Sequence, residues 1–325
     1  MAGCIRVHET GGPEVLLWEE APVRDAGPGE ALIRQTAVGL NYIDVYFRKG
    51  LYPAPGLPFT PGMEGAGVVE VVGAGVADLA PGDRVAYAGA PIGSYAESRV
   101  MPADRLVKLP ATIDDRIAAA MMLKGMTAQY LLKRTANLRS GDTILVHAAA
   151  GGVGLILCQW ARSLGVRVIG TVGSEEKAAL ASSHGCDHTV IYTKENMVDR
   201  VREITAGEGV AVVYDSVGKD TFEASLDCLR PLGLLVSFGQ SSGPVPAFDI
   251  GLLNLKGSLF LTRPSLFHYT MSRADLLATA SDLFDVVAGG TVRIGVNQTY
   301  PLREAERSHR DLEARRTTGS TVLLP

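Results

Sequence analysis

The chain has 325 residues, 46% of them hydrophobic and 20% charged, enough for two domains that each bury a core. A formal net charge of −4 gives no electrostatic ground for nucleic acid as the main partner. No basic segment followed by an apolar run opens the chain, no apolar run is long enough to span a membrane, and four isolated cysteines form neither a disulfide nor a zinc pattern, so a cytoplasmic protein with reduced thiols is expected.

Residues 1–125 are rich in Gly and Pro. Short β-rich runs at 31–37, 66–72 and 83–87 are separated by turn signals at 27–29, 73–75 and 81–83. Such spacing predicts a partly open β barrel or sandwich. The stretch 126–262 alternates instead. Apolar strands are expected at 143–147, 166–169, 188–191, 210–214, 234–238 and 258–261, with helical patterns at 152–164, 174–184, 194–205 and 221–229. Continuous apolar strands alternating with helices predict an α/β domain with a doubly wound parallel sheet. Residues 263–325 hold two further helices, 272–288 and 302–315, and end on a strand at 320–324 that returns to the first domain.

The first βα turn of the middle segment carries the densest signal. The dinucleotide fingerprint G-x-G-x-x-G falls on Ala149-Ala150-Gly151-Gly152-Val153-Gly154, with Ala in the first place. Gly151 admits a pyrophosphate close to the backbone, and Gly154 lets the helix pack tightly on its strand. The helix start at Gly152 and Val153 offers free N–H groups and a partial positive charge. A strand before it, an amphipathic helix after it and a second strand at the right distance place the motif in its expected context.

The end of the second strand lacks the usual acid. A carboxylate there would bind the ribose hydroxyls of NAD and repel a 2′-phosphate. This chain reads Gly173 and Ser174, with Lys177 one turn into the next helix. Hydroxyl, ammonium and helix N-terminus together favour a phosphate, so NADPH is the expected cofactor, although Glu175 and Glu176 add repulsion nearby.

At this point the chain resembles a known family. The stretches Asn41-Tyr-Ile-Asp44, Arg48-Lys-Gly-Leu-Tyr-Pro53, Pro61-Gly-Met-Glu-Gly-Ala-Gly67, Pro81-Gly-Asp-Arg-Val85, Ala148 to Gly154, Tyr214-Asp-Ser-Val-Gly218 and Val236-Ser-Phe-Gly239 are similar to the zeta-crystallin-like quinone oxidoreductases of the medium-chain dehydrogenase/reductase superfamily. The resemblance implies a GroES-like barrel (1–125 and 263–325) carrying the substrate side, a Rossmann domain (126–262) and a cleft between them. It also implies a homodimer built largely through the Rossmann domain.

Zinc-dependent cousins in that superfamily hold a catalytic metal with a Cys and with a His that precedes a Glu. Here Asn41 and Met63 stand at those places. Neither suits zinc, and the four-cysteine structural lobe is absent, so no metal is expected. Glu64 then reads as a structural polar contact and Lys124 as a solvated lysine. Without a Lewis acid the substrate must already be electrophilic. A quinone meets that requirement, and the protein must supply orientation and donors for the anion that develops on oxygen. Candidate donors are Asn41, Tyr46, Tyr52 and Thr127, and the resemblance sets Asn41 and Thr127 near the nicotinamide. It also puts Tyr192, Ser216, Gly218, Phe238, Gly239 and Ser241 at strand ends around the cofactor. Arg263 and Arg315, or its neighbour Arg316, are set against a phosphate or the substrate-side amide.

The expected activity is NADPH-dependent quinone reduction without metal. The rivals are an enone or enal reductase using the same cofactor and a nucleotide-bound RNA-binding or crystallin-type structural protein. The acidic charge and the lack of a basic aromatic patch count against RNA.

Overall fold

The computed structural model describes all 325 residues. The chain divides into two compact units. One comprises Met1–Met126, Thr270–Ala288 and Ile294–Pro325; the other comprises Thr127–Tyr269 and Gly289–Arg293.

The first unit begins with β1 (Ala2–Arg6), β2 (Leu17–Ala21), β3 (Glu30–Leu40), α1 (Tyr42–Arg48), β4 (Glu64–Val72), β5 (Arg84–Ala88), β6 (Ser98–Pro102) and β7 (Val107–Lys108). Helix α2 (Asp115–Tyr130) leads out of it into a π-helical turn, Leu131–Thr135. The second unit continues with β8 (Thr143–Val146), α3 (Gly152–Ser163), β9 (Arg167–Val172), α4 (Glu175–Ser183), β10 (His188–Ile191), α5 (Met197–Ile204), β11 (Val210–Asp215), α6 (Phe222–Cys228), β12 (Leu229–Ser237), α7 (Gly251–Leu255), β13 (Phe260–Thr262) and α8 (Leu266–Tyr269). Elements α9 (Arg273–Ala288), β14 (Val296–Pro301), α10 (Ala305–Glu313) and β15 (Ser320–Leu324) close the chain.

In the first unit, β3 organises a seven-stranded sheet. Its alternating residues Ala31, Ile33, Gln35 and Ala37 are buried, the period-two pattern of a strand with one face on a core. One edge of β3 pairs with β4 along its length. The other changes partner, from β6 at residues 30–34 to β15 at residues 38–40. Register shifts at Leu32/Ile33 and Gln35/Ala37 bend the strand, as bulges do. Val69, Val85, Tyr87, Met101 and Leu106 fill one core; Ile5, Val7, Val38, Phe59, Tyr95 and Leu323 fill a second.

The second unit is a six-stranded parallel sheet in the order β10-β9-β8-β11-β12-β13. Numbered from β8, that is the 3-2-1-4-5-6 order of a doubly wound dinucleotide fold, with the order reversing between β8 and β11. Leu145, Ile169, Val190, Val213 and Leu235 from five strands pack with Phe222 and Leu226 of α6. Residues 263–269 stay with this unit. Tyr269 stacks on Tyr130 with ring centroids 4.3 Å apart, and Arg134 and Thr135 bond its carbonyl and hydroxyl. Residues 289–293 join it through reciprocal bonds between Gln159 and the Arg293 backbone.

All four cysteines are buried. Burial pushes the thiol pKa values of Cys4 and Cys228 up, the latter to about 12, and a hydrogen bond with Cys186 together with burial raises that of Cys158. No helix is long and apolar enough to cross a membrane.

Candidate active site

In the second unit the candidate cofactor residues gather at the carboxyl ends of the strands. After β8 the backbone turns sharply. Ala148 adopts a positive φ of 52°, the Ala149 N–H donates to the Thr171 carbonyl, and the Gly151 N–H donates to the Ala148 carbonyl. Gly151 caps α3 in an extended conformation and has no side chain to occupy the first amides of the helix, so these stay available to an anion. A Cβ at Gly154 would lie 2.5 Å from the Ala148 oxygen and 2.6 Å from that of Ala149, so only glycine brings α3 this close to the turn. Beneath the turn, His147 bridges β9 and α6 through Thr171 Oγ1 and Ser225 Oγ, each 2.9 Å away. Burial lowers its pKa and keeps the imidazole neutral.

At the end of β9, Ser174 is the N-cap of α4, and its Oγ accepts the Lys177 N–H at 3.3 Å. A hydroxyl that accepts from the helix keeps its own proton to donate outward. The Lys177 side chain is half-buried. Of the two acids in the first turn, Glu175 is paired with Lys194 at 2.8 Å. Tyr192 completes the cluster: a Cβ on Gly173 would meet its hydroxyl at 2.8 Å. Gly173, Ser174, Lys177 and Tyr192 therefore form one group.

A second group forms at the ends of β11 and β12. Asp215, fully buried, accepts from the N–H groups of Val217 and Gly218 and from the Thr221 hydroxyl, while its carbonyl accepts from the N–H groups of Phe238 and Gly239. Ser241 N–H donates to the Ser216 carbonyl. Gly218 has φ +90°, and a Cβ there would lie 2.7 Å from the Gly243 oxygen. Ser216, Gly218, Phe238, Gly239 and Ser241 are thus tied into one pair of loops by Asp215, which the sequence reading missed. Its signal was an acid at the end of an otherwise apolar strand. Arg263 reaches the same loops. Its Nη1 donates to the carbonyls of Ser237 (3.0 Å) and Gly239 (2.7 Å), and its Nη2 to Gln240 Oε1 (3.3 Å), so the guanidinium braces the β12 loop.

In the first unit, Asn41 precedes α1. Its Nδ2 donates to Glu64 Oε2 at 2.7 Å and lies 3.5 Å from the Gly39 oxygen. Glu64 is wholly buried. Its Oε1 accepts the Leu123 N–H at 2.8 Å, and its Oε2 also pairs with Lys124 Nζ at 2.9 Å. Lys124 is 6% exposed, which overturns its reading as a solvated lysine: the buried carboxylate of Glu64 holds it inside. Thr127, also buried, stands three residues further along α2, as the first residue of the second unit.

Tyr46 and Tyr52 come together. Their ring centroids are 5.2 Å apart, Tyr42 lies 5.5 Å from Tyr46, and the Tyr46 carbonyl accepts the N–H groups of Leu51 and Tyr52. Asp44 anchors the start of α1, accepting the Asn41 N–H at 2.9 Å and the Tyr95 hydroxyl at 3.0 Å. Tyr95 in turn meets His309 Nε2, whose Nδ1 faces Arg48, itself paired with Glu313. Burial pushes the Asp44 carboxyl up to about 7. Arg315, two residues past the end of α10, has φ +59°, and Arg316 is paired with Asp311 at 2.9 Å.

Family models match both parts of the chain: an alcohol dehydrogenase GroES-like domain over residues 27–111 and a zinc-binding dehydrogenase over residues 152–285. A quinone oxidoreductase of Pseudomonas aeruginosa is 55% identical over 325 residues, covering 100% of both chains. The crystal structure of Escherichia coli quinone oxidoreductase complexed with NADPH superposes with a TM-score of 0.98 at 48% identity, again over 100% of both. The chain belongs to the quinone oxidoreductase family of the medium-chain dehydrogenase/reductases. A 2-haloacrylate reductase of a Burkholderia species, 47% identical over 98% of both chains, is a further relative.

Within this quinone oxidoreductase family member, GroES-like and Rossmann-like folds account for the two units. The zinc named by one matching model finds no fit here. No group of three or more His, Cys, Asp or Glu side chains is placed to hold a metal ion. The amide of Asn41 and the thioether of Met63 are poor zinc ligands, and the cation beside Glu64 is the ammonium of Lys124.

Proposed function

We propose that this chain is an NADPH-dependent quinone reductase that works without metal. The observation that carries the reading is the donor set around Glu64: with Lys124 as its counter-charge and Asn41 and Met63 beside it, the chain supplies no Lewis acid, so the acceptor must be electrophilic in itself. Whole-length likeness to proteins named quinone oxidoreductase supports the same choice.

NADPH, when bound, supplies the hydride, and a quinone that gains hydride and a proton leaves as the hydroquinone. The residues present fit this cofactor. The open amides at the start of α3 suit the pyrophosphate, and Ser174 with Lys177 suits a 2′-phosphate. Tyr192 stands beside that phosphate site, and Ser216, Gly218, Phe238, Gly239 and Ser241 shape the loops that flank the cofactor. Arg263 acts by holding the β12 loop in place. Tyr46 and Asn41 are donors to the oxygen on which charge develops, Tyr52 buttresses the Tyr46 ring, and Thr127 and Arg315 complete the binding set.

We further infer a homodimer through the second unit. Edge strand β13 is paired on one side only, and Leu232, Ile250, Leu255 and Phe260 around it are exposed by 60% or more. Light scattering measures the mass directly.

The deciding experiment follows anaerobic NADPH oxidation against benzoquinones, naphthoquinones, enones and 2-haloacrylates. Quinones turning over fastest supports the reading. Turnover confined to enones or haloacrylates overturns it.

A further inference from the structure

The buried pair Glu64–Lys124 has no part in the activity described so far except to displace a metal. Its position gives it one. Glu64 Oε2 receives two donors, Nδ2 of Asn41 at 2.7 Å and Nζ of Lys124 at 2.9 Å, while Oε1 is held by the Leu123 N–H at 2.8 Å. Every bond of the carboxylate is thus specified, and it is fully enclosed. An amide is nearly symmetric in shape, so only its partners decide which end faces where. A carboxylate accepts and never donates. It therefore draws the NH2 end of Asn41 and turns Oδ1 away. The second Nδ2 proton has only the Gly39 oxygen, at 3.5 Å, longer than an ordinary N–H···O bond.

We propose that Glu64 and Lys124 are positioning residues for Asn41: Glu64 fixes its amide with an N–H toward the ligand, and Lys124 supplies the charge that lets a carboxylate sit there buried. The inference rests on Asn41 being a ligand contact, as read above. A buried carboxylate without its cation is strongly destabilised, so the two act as a unit.

The chemistry of Glu64→Gln follows from the bond pattern. The introduced carboxamide has one acceptor oxygen, which the Leu123 N–H claims, and turns its own NH2 toward Asn41. The Asn41 amide then inverts and presents an oxygen where it had a donor. The same substitution leaves Lys124 buried without a counter-charge. The double variant Glu64→Gln/Lys124→Met removes both charges together and so avoids that penalty.

The test is a cycle of variants read by kcat, KM for the quinone and thermal midpoint. Asn41→Ala is expected to lower kcat/KM about tenfold or more, the loss of one hydrogen bond to the oxygen on which charge develops. The double variant should recover the thermal midpoint lost by Glu64→Gln but keep a loss of similar size in kcat. In an Asn41→Ala background the same double substitution should cost no further activity, because it acts through an amide that is gone. A double variant with wild-type kcat and KM overturns the proposal, and so does an equal loss with and without Asn41. Wild-type turnover of the acceptor panel tests the quinone reading separately. If another acceptor proves to be the substrate, the cycle is run on that acceptor and keeps its meaning.

Discussion

The turn from Gly173 to Lys177 makes the most quantitative prediction, because the charge of one side chain there can be removed while the backbone bond of the turn is kept. The Lys177 backbone N–H donates to Ser174 Oγ at 3.3 Å. Lys177→Ala keeps that bond, and Ala is the best helix former. What is lost is the ammonium. A charge-assisted bond to a phosphate is worth about 1.5–3 kcal/mol, and each 1.4 kcal/mol is tenfold in affinity. NADPH binding should therefore weaken by roughly ten- to a hundredfold, while NADH, which has no 2′-phosphate, should bind nearly unchanged. Gly173→Asp should discriminate further, by setting a negative charge against the phosphate and offering an acceptor to ribose hydroxyls. Its Cβ would approach the Tyr192 hydroxyl at 2.8 Å, so this side chain, 45% exposed, has to give way. Dissociation constants for both cofactors are measured by titration calorimetry at one fixed ionic strength, since salt screens such contacts beyond about 10 Å at 0.1 M. Equal losses for NADPH and NADH refute the reasoning, as does a wild-type protein that prefers NADH.

Three further outcomes are expected. Chelator-treated protein should retain full activity and hold no stoichiometric zinc; one zinc per chain by metal analysis, with activity lost on its removal, contradicts the reading of Asn41 and Met63. Tyr46→Phe keeps the ring that packs 5.5 Å from Tyr42 and 5.2 Å from Tyr52, so it should lower quinone turnover by about tenfold with NADPH affinity preserved, and unchanged turnover makes Tyr46 a wall only. His309 is held neutral by burial and by Arg48, its pKa lowered to about 3. The unfolded chain therefore binds the extra proton between roughly pH 6.5 and pH 3, and this contribution to stability is lost as pH falls through that window. His309→Gln can still bond Arg48 and Tyr95 but does not titrate, so its unfolding free energy in urea should fall less steeply on acidification, by up to about 1.4 kcal/mol per pH unit. Asp44, raised to about 7 chiefly by burial, is common to both proteins and leaves the comparison intact. Identical slopes would falsify the assignment.

What the sequence discloses and what it hides differ for a physical reason. The βα turn at 149–154 is legible because its constraints are local: a glycine is needed where a helix meets its own preceding turn, six residues away at most. The strand and helix periods of 143–262 are legible for the same reason. Lys124 is not, because nothing in its neighbourhood on α2 announces a carboxylate sixty positions earlier in the chain. His309 is more distant still, 261 residues from the Arg48 it faces. Arg263 is illegible in another way: its Nη1 donates to the Ser237 and Gly239 carbonyls of the neighbouring loop, and carbonyls leave no trace in side-chain identity.

The burial of all four thiols has a chemical consequence. Quinones are Michael acceptors that alkylate thiolates, and a protein that binds them repeatedly is exposed to covalent damage by its own substrate. Attack requires both access and the deprotonated form. Cys4, Cys158, Cys186 and Cys228 are all enclosed, and three of them are also pushed toward the protonated thiol. The folded chain is thereby shielded against arylation, and unfolding would expose its sulfur to the electrophile it consumes.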